Sequence, residues 1–298
     1  MAALLEREHA YPEATAGHLQ LPERLERLRI ALVHEWLITL GGSDRVLLAL
    51  HELFPEAPVY TSLHAPQRLP AAFQRMNVRT TWLQSLPGAV DRHRLLVPLM
   101  PFAFRSLDLR GFQVVLTSSH ACAKGVRVDP DAIHICYCHT PMRYAWDLDS
   151  EYVRGMPPLV RPAARGAFAW LRRWDRAAAQ RVDHFIANSQ FVADRIRKHY
   201  GRDATVIPPP VDVEFFTPDG GAEKQRQDPF FLVVSRLVPY KRVDLAVEAF
   251  NELGWPLVVV GAGPEAPRIR ATARANVKLV GEVSDEELRD YYRHCRAL

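Results

Sequence analysis

Short apolar runs alternate with longer helix-like stretches along most of this chain, and this alternation limits the folds open to it. The first run covers residues 29–36 (RIALVHEW) and is followed by the loop 40–43 and a helical stretch from Asp44 to Leu53. A short, continuous apolar run is typical of a strand that is buried on both faces. Strands that alternate with helices predict a parallel sheet covered by helices on both sides.

The alternation continues and later restarts, which predicts two domains. Further strand-like runs lie at residues 58–63, 112–118, 133–138 and 184–187, with helix-like stretches at 159–181 and 190–200. Residues 209–229 are dense in Pro, Gly and charge, as linkers are. We therefore predict a leader over 1–27, a Rossmann-like domain over 28–208, a linker over 209–229 and a second Rossmann-like domain over 230–298.

The second domain has room for three strand–helix units. Its last helix is predicted to run from Asp285 to Leu298, without a further strand. An open doubly wound sheet usually has about six strands. The sequence therefore predicts only the first half of such a sheet.

Composition indicates the cellular compartment of the protein but does not identify its ligand. The net charge of +4 suits a phosphate-bearing substrate or an anionic membrane surface without distinguishing them. The first residues do not show the cationic and apolar regions that are typical of a signal peptide, and four cysteines in 298 residues do not indicate a disulfide framework, so secretion is not expected. The most apolar window, Leu95–Phe104, is far shorter than the ~20 residues of a membrane-spanning helix. A cytoplasmic protein is expected.

Ligands of open parallel sheets bind at the carboxyl ends of the strands, so the loops there are candidates for the site. Gly41 and Gly42 follow the first strand. Because they lack a Cβ, their backbone amides could approach a phosphate or sugar just before a helix N-terminus. A simple tight turn explains the two glycines equally well.

A second candidate loop follows the first strand of the second domain. Arg236 and Lys241 bracket this strand-to-helix turn, where a guanidinium and an ammonium could converge on a diphosphate. As isolated residues, two solvated surface cations would be the better interpretation.

The segment 133–146 (IHICYCHTPMRYAW) ends another predicted strand. His134, Cys136 and Cys138 share one face of it, but Cys-x-Cys lacks the usual two-residue spacing of metal ligands. His139 lies at the strand end, where it points to the predicted cleft. Residues Met142, Arg143, Tyr144 and Trp146 could line a sugar-sized pocket beside it. Taken alone, His139 fits a core or capping role; taken with the two cations, it fits a binding role.

The loop 260–266 (VGAGPEA) matches a relaxed dinucleotide pattern, G-x-G-x-x-A. An oxidoreductase is therefore an alternative, with Glu282 as the ribose-binding acid. That alternative leaves Arg236, Lys241 and His139 unexplained. A dinucleotide fingerprint also normally belongs to the first strand–helix unit of its sheet, whereas this loop belongs to the second.

Taken in order, the motifs resemble glycosyltransferase family 4, and more narrowly its bacterial mannosyltransferase-like members that build polysaccharide or lipid-linked glycans. The resemblance covers the chain from Arg29 to Leu298. It is carried by HEWL with the GG loop, YCHTPMRYAWD, FIANSQFVADRI, VIPPPVDVEFF, FLVVSRLVPYKRVDLAVEAF, VVVGAGPE and VKLVGEVSDEELRDYY.

The resemblance implies a GT-B fold, in which two Rossmann-like domains face each other across a cleft. It also implies a retaining transfer of a hexose, with a mannose-like sugar favoured, from a nucleoside diphosphate sugar to a glycan or polyprenyl-linked acceptor in polysaccharide biosynthesis. Neither a metal nor another cofactor is expected, and no nucleic acid partner.

Carried over residue by residue, the resemblance assigns the site as follows. His139 would contact the transferred sugar, and Arg236 with Lys241 would hold the diphosphate. The implied donor-binding residues are Gly41, Gly42, Asn188, Ser189, Gly261, Gly263, Gly281 and Val283.

The chain departs from the family pattern in two places. Asp44 stands where a glutamate is commoner after the glycines. More importantly, no two glutamates lie eight residues apart, whereas the family uses such a pair to bind sugar and ribose hydroxyls. The expectation is a C-terminally truncated fragment with little or no activity; the alternative is a non-catalytic nucleotide- or membrane-binding remnant.

The apolar window Leu95–Phe104 is flanked by Arg92, Arg94 and Arg105. It could touch the inner face of the plasma membrane or a polyprenyl carrier. Packing against the sheet is the alternative use of the same residues.

Overall fold

The structure is a computed structural model that describes residues 27–147, 153–154, 156–218 and 230–298. The contacts within the chain divide it into two units between Pro210 and Val211. The predicted leader, apart from residue 27, and residues 219–229 of the predicted linker lie outside the described residues. The extents predicted for the domains stay predictions.

The first unit contains a seven-stranded sheet, and its strands are all parallel, as predicted. Its strand order is β3-β2-β1-β4-β5-β6-β7, which extends the order 3-2-1-4-5-6 of doubly wound folds. The strands are β1 (Ile30–His34), β2 (Val59–Thr61), β3 (Val78–Thr80), β4 (Val114–Ser119), β5 (Ile133–Cys138), β6 (His184–Ala187) and β7 (Thr205–Val206).

The two strands that the sequence did not predict, β3 and β7, form the two edges of this sheet. They have three and two residues. Neither contains an apolar run, because an edge strand pairs on one side only and is largely exposed. Their pairing partners, and not their own sequences, define them.

Helices cover both faces of the sheet. The two faces of β1 explain why its sequence is continuously apolar: Ala31 and Val33 pack in one cluster of buried side chains, and Ile30 and Leu32 in another. The helices of the unit are α1 (Gly42–Leu53), α2 (Met100–Arg105), α3 (Arg143–Trp146), α4 (Arg161–Ala179) and α5 (Gln190–Tyr200).

The second unit contains a four-stranded parallel sheet in the order β10-β9-β8-β11. Its strands are β8 (Phe230–Val234), β9 (Leu257–Val260), β10 (Val277–Gly281) and β11 (Cys295–Ala297), and its helices are α6 (Val243–Leu253), α7 (Ala266–Thr272) and α8 (Asp285–His294).

The prediction of a helix that continues to Leu298 is wrong. Helix α8 begins with a capping box between Ser284 and Glu287 and ends at His294. Residues Cys295–Ala297 then pair with β8 as a fourth strand. The side chain of Cys295 packs against the same buried cluster as β8, which favours pairing over another helical turn.

None of the described helices is both long enough and apolar enough to cross a bilayer.

The glycine-rich loop after β9 lies directly against the loop after β8. A Cβ at Gly261 would lie 2.0 Å from the carbonyl oxygen of Ser235, and one at Gly263 would lie 2.2 Å from that of Leu237. Leu237 N also donates to Ala262 O at 2.9 Å. These two glycines are therefore required by close backbone packing between the loops.

This packing predicts that Gly261→Ala destabilises the second unit more than Gly254→Ala does. Both glycines have positive φ, 128° and 71°, but a Cβ at Gly254 meets nothing within 4 Å. The free energy of unfolding of the Gly254→Ala control should therefore fall only by about 1–2 kcal/mol, the cost of a left-handed backbone conformation in a residue with a Cβ. Hydrogen exchange of residues 230–298 in increasing urea measures the difference. Equal losses in the two variants would contradict the packing argument.

Candidate functional site

The carboxyl ends of β1 and β4 meet around a fully buried carboxylate. Glu35 directly follows β1, and its oxygens accept hydrogen bonds from Ser119 Oγ at 2.8 Å and from the backbone amides of Ala121, Cys122 and Ala123 at 2.7, 2.9 and 3.0 Å. A buried carboxylate is costly unless it is paired and hydrogen-bonded. Glu35 is therefore the group that fixes the loop after β4 against the end of β1.

The surroundings of Glu35 favour its ionised form. Burial alone raises the pKa of this carboxyl, but attraction from His120, the amide hydrogen bonds and the Lys124 ammonium act in the opposite direction. Together they hold the pKa of Glu35 below its ordinary value of 4.5.

His139 follows β5 and is held on both its ring and its backbone. Its Nε2 lies 2.8 Å from Ser118 Oγ, and its backbone N–H donates to Ser119 O. Asn188 Nδ2 donates to its carbonyl oxygen at 3.1 Å. Burial, and then the neighbouring His34 and His120, lower the pKa of His139 to about 3. The imidazole is therefore neutral at physiological pH and is held as a neutral hydrogen-bonding group.

The hydrogen bonding extends from Ser118 to two further side chains, those of His34 and Asp44. Ser118 Oγ lies 3.0 Å from His34 Nδ1, and His34 Nε2 lies 3.2 Å from Asp44 Oδ1. All three side chains are buried. Asp44, in the first turn of α1, is thus connected with the ring of His139.

Lys124, in the loop after β4, forms a buried ion pair with Asp175 of α4. Lys124 Nζ lies 2.5 Å from Asp175 Oδ1. The other oxygen of Asp175 accepts from Trp146 Nε1 and Tyr200 Oη, each at 2.8 Å. Burial lowers the pKa of Lys124, but its interactions with Asp175, Cys138 and Cys136 together outweigh burial and raise that pKa above its ordinary value. The pair joins the loop after β4 to α3, α4 and α5.

This network changes the interpretation of the aromatic segment after His139. Met142 is completely buried in the core, and Trp146 is bonded to Asp175 and packs against His199. The expectation that Met142 lines a sugar pocket is wrong, because its side chain lies in the interior. Trp146 is half-buried, and its indole N–H is directed to Asp175, so its place at a pocket stays a prediction.

The remaining predicted residues of the first unit have clear local roles. A Cβ at Gly41 would lie 3.2 Å from Asp44 Oδ2, so Gly41 leaves room for that carboxylate, whereas Gly42 has open space beside it. Ser189 accepts from Val192 N and caps α5, and its hydroxyl donates to Asn188 Oδ1. Asn188 and His139 are brought into contact; Gly42 keeps an open approach to the N-terminus of α1.

In the second unit, Arg236 and Lys241 flank the turn between β8 and α6. Both side chains are exposed, and among the described residues neither forms an ion pair or a side-chain hydrogen bond. The next residue, Arg242, has a φ of 50°, the one positive φ of a residue other than glycine in the described chain. Arg242 also pairs with Asp244, 3.0 Å away. Arg242 thus fixes the conformation of the turn, whereas the charged groups of Arg236 and Lys241 stay available to a ligand.

The predicted glycines of the second unit lie in the adjoining loops. Gly261 and Gly263 are set by the close packing described above. Gly281, with a φ of 83°, ends β10, and its carbonyl accepts from Gly261 N at 2.7 Å. Val283 packs against the buried cluster of β8 and β9. The structure therefore brings the ends of β8, β9 and β10 together around backbone groups.

Comparison with known proteins agrees with this fold. The family model described as Glycosyltransferase Family 4 matches residues 40–215, more than half of the chain, and the model described as Glycosyl transferases group 1 matches residues 219–298. The chain belongs to glycosyltransferase family 4. By family it is a glycosyltransferase enzyme.

Solved structures of low sequence identity share the GT-B fold of this glycosyltransferase. HepE of Anabaena, in complex with UDP and glucose, is 16% identical with a TM-score of 0.59, covering 90% of this chain and 72% of HepE. Sucrose-phosphate synthase of Thermosynechococcus elongatus is also 16% identical with a TM-score of 0.59, covering 90% and 74%. No curated protein sequence matches the chain.

Sequence reasoning missed most of the buried groups of this glycosyltransferase. Glu35 could have been found, because a carboxylate in a run that is otherwise apolar needs a partner. Ser118 also carried a signal, since it lies at the end of a predicted strand. The sequence carried no signal for the pairing of Lys124 with Asp175, because the two residues are 51 positions apart.

The lowered pKa of Glu35 predicts a stability loss in acid. Because this carboxylate titrates lower in the folded chain than in the unfolded one, its contribution is present above about pH 4.5 and is lost as pH falls further. Glu35→Gln should cost roughly 1–3 kcal/mol at pH 7, because it removes the charge of the acceptor and replaces one of its two oxygens by an NH2 group that cannot accept a hydrogen bond from a buried amide. It should also weaken the decrease in stability between about pH 5 and pH 3.

Urea denaturation across that pH range measures both effects, with exposed Glu56→Gln as the control. If Glu35→Gln kept the wild-type pH dependence, the assignment of Glu35 as the ionised anchor would be incorrect.

Proposed function

We propose that this glycosyltransferase moves a hexose, with retention of configuration, from a nucleoside diphosphate sugar to a hydroxyl of a glycan or lipid-linked acceptor. The observation that carries the donor class is the pair of exposed cations, Arg236 and Lys241, beside the N-terminus of α6. Such a turn suits a diphosphate, because guanidinium, ammonium and helix N-terminus all favour anions. That HepE was solved with UDP and glucose supports the same donor class.

The finer parts of the proposal rest on the resemblance of the motifs. A mannose-like hexose, a retaining reaction without a metal, and a place in polysaccharide biosynthesis belong to this part. Arg236 and Lys241 hold the diphosphate, and His139 contacts the transferred sugar. Gly42 offers an open backbone approach. The further donor-binding residues proposed are Gly41, Asn188, Ser189, Gly261, Gly263, Gly281 and Val283.

A peripheral contact with an anionic membrane is the second part of the proposal. Phe102 of α2 stacks on Trp170 of α4, with ring centroids 5.7 Å apart, although the two side chains are 56% and 40% exposed. Leu95 and Leu99, which lie in the 3-10 helix just before α2, are exposed as well. Exposed aromatic and aliphatic side chains on neighbouring helices are typical of interfacial binding.

The charges around this apolar surface favour anionic lipid. Residues 92–107 and 156–174 contain no Asp or Glu, whereas they contain seven arginines. Each basic residue near an anionic bilayer contributes about 1 kcal/mol. We therefore propose that the inner face of the plasma membrane is the surface contacted, next to a lipid-linked acceptor.

Calorimetric titration with GDP, UDP and their hexose conjugates tests the donor site. One nucleotide should bind the wild-type chain, and Arg236→Ala/Lys241→Ala should weaken it by more than tenfold, since charge-assisted hydrogen bonds contribute roughly 1.5–3 kcal/mol each. The matched control, Arg270→Ala/Lys278→Ala, removes the same charge from exposed positions of the same unit. A wild-type chain that binds no nucleotide would exclude the donor assignment.

Liposome sedimentation tests the membrane contact. The wild-type chain should sediment with phosphatidylglycerol vesicles but not with phosphatidylcholine, and less at high salt. Phe102→Ser/Trp170→Ser should abolish sedimentation. The control Phe191→Ser/Trp255→Ser removes the same two residue types from other exposed positions. Equal loss in both double variants, or no sedimentation of the wild-type chain, would rule out this surface.

A further inference from the structure

Four buried or half-buried side chains form a continuous chain of hydrogen bonds that ends at His139. It runs from Asp44 Oδ1 to His34 Nε2 at 3.2 Å, from His34 Nδ1 to Ser118 Oγ at 3.0 Å, and from Ser118 Oγ to His139 Nε2 at 2.8 Å. These lengths are those of ordinary hydrogen bonds. Its members come from α1, β1, β4 and the end of β5, so the packing of the sheet brings them together.

The direction of each hydrogen bond follows from the hydrogens available. An ionised carboxylate can only accept, so His34 Nε2 carries the hydrogen that faces Asp44. The other nitrogen of a neutral His34, Nδ1, then has a lone pair and accepts from the Ser118 hydroxyl. That hydroxyl has a single hydrogen, so toward His139 its oxygen can only accept.

With His34 neutral, His139 therefore donates from Nε2, and its Nδ1 is left with a lone pair. Among the described residues no group hydrogen-bonds to this Nδ1. The reverse arrangement would direct two lone pairs at each other between His34 and Asp44, or would need a second proton on His34. With a neutral His34, the chain of bonds thus selects one of the two neutral tautomers of His139.

We infer that Asp44, His34 and Ser118 are positioning residues that hold His139 in the Nε2–H tautomer, so that its Nδ1 accepts a hydrogen bond from a sugar hydroxyl. The inference rests on the proposed role of His139 as the residue that contacts the transferred sugar. It adds the direction of that hydrogen bond: the sugar hydroxyl donates, and His139 accepts.

The tautomer matters because the two forms offer opposite chemistry at the same atom. With a lone pair, Nδ1 accepts from a hydroxyl; with a hydrogen, it would donate instead and would suit a carbonyl or carboxylate. A neutral acceptor also places no positive charge next to a sugar carbon that becomes electron-poor as the leaving diphosphate departs. Holding the ring in advance avoids reorganisation when the sugar reacts.

The 15N NMR spectrum of histidine-labelled protein near pH 7 tests the tautomer without any sugar. His139 is assigned by the loss of its signals in His139→Gln. The wild-type chain should contain His139 with a pyridine-like Nδ1 and a pyrrole-like Nε2. Ser118→Ala removes the acceptor of Nε2 and should give a mixture of both tautomers.

The most specific variant is Asp44→Asn, because it is two hydrogen bonds removed from Ser118 Oγ and does not contact His139. An amide can accept from His34 or donate to it, so both directions of the chain become possible. A mixture of tautomers at His139 is expected, whereas the exposed Asp91→Asn control should leave the wild-type spectrum unchanged. The circular dichroism of each variant reports separately on folding.

Donor binding forms the second arm. Asp44→Asn should weaken the binding of a nucleoside diphosphate hexose by roughly tenfold, the contribution of about one hydrogen bond, and should leave the affinity for the nucleotide without sugar unchanged. A pyrrole-like Nδ1 at His139 in the wild-type chain would overturn the inference, and so would a tautomer unaffected by both substitutions. A chain that binds no nucleotide would refute the proposed function and leave the tautomer result standing.

Discussion

The hydrogen bonding of Glu35 is the constraint on which the first unit depends. This carboxylate is completely buried, and moving such a group from water into a protein costs several kcal/mol even after relaxation. Three consecutive backbone amides and one hydroxyl satisfy it. Because those amides belong to residues 121–123, the loop after β4 can take only the path that points them at Glu35.

Two further networks begin at the ends of that fixed loop. On one side, Ser118 and Ser119 contact the ring and the backbone of His139. On the other side, Lys124 enters the core and pairs with Asp175, which also binds Trp146 and Tyr200. A buried ion pair adds little to stability compared with apolar packing, but it admits few alternative arrangements. Here it fixes α3, α4 and α5 relative to β4, and so fixes the segment that follows His139.

The sequence predicted the parts of the fold that depend on local pattern. Continuous apolar runs identified β1, β4, β5 and β6, since a parallel strand must bury both of its faces. The edge strands were missed for the opposite reason, and so was β11, whose position depends on pairing with β8. For the site, the loops at the carboxyl ends of the strands could be found from topology alone, and His139, Arg236 and Lys241 lie there. The direction of side chains such as Trp146 could not, because the partner that turns it inward, Asp175, is distant in sequence.

The two sets of candidate residues, the cations of the second unit and the histidine network of the first, differ in how far their side chains are held in place before a ligand binds. Arg236 and Lys241 are exposed cations on long side chains, and holding each of them in a complex costs roughly 0.5–1.5 kcal/mol of rotational freedom. They can contribute strong charge attraction, which mainly sets how tightly a diphosphate is bound. His139 is already held through Ser118, His34, Ser119 and Asn188, so a ligand would find its ring oriented. Interactions that are rigid in advance act on the reacting state more than on the bound one. The exposed cations therefore suit the proposed binding of a diphosphate, and the buried histidine network suits the proposed transfer step.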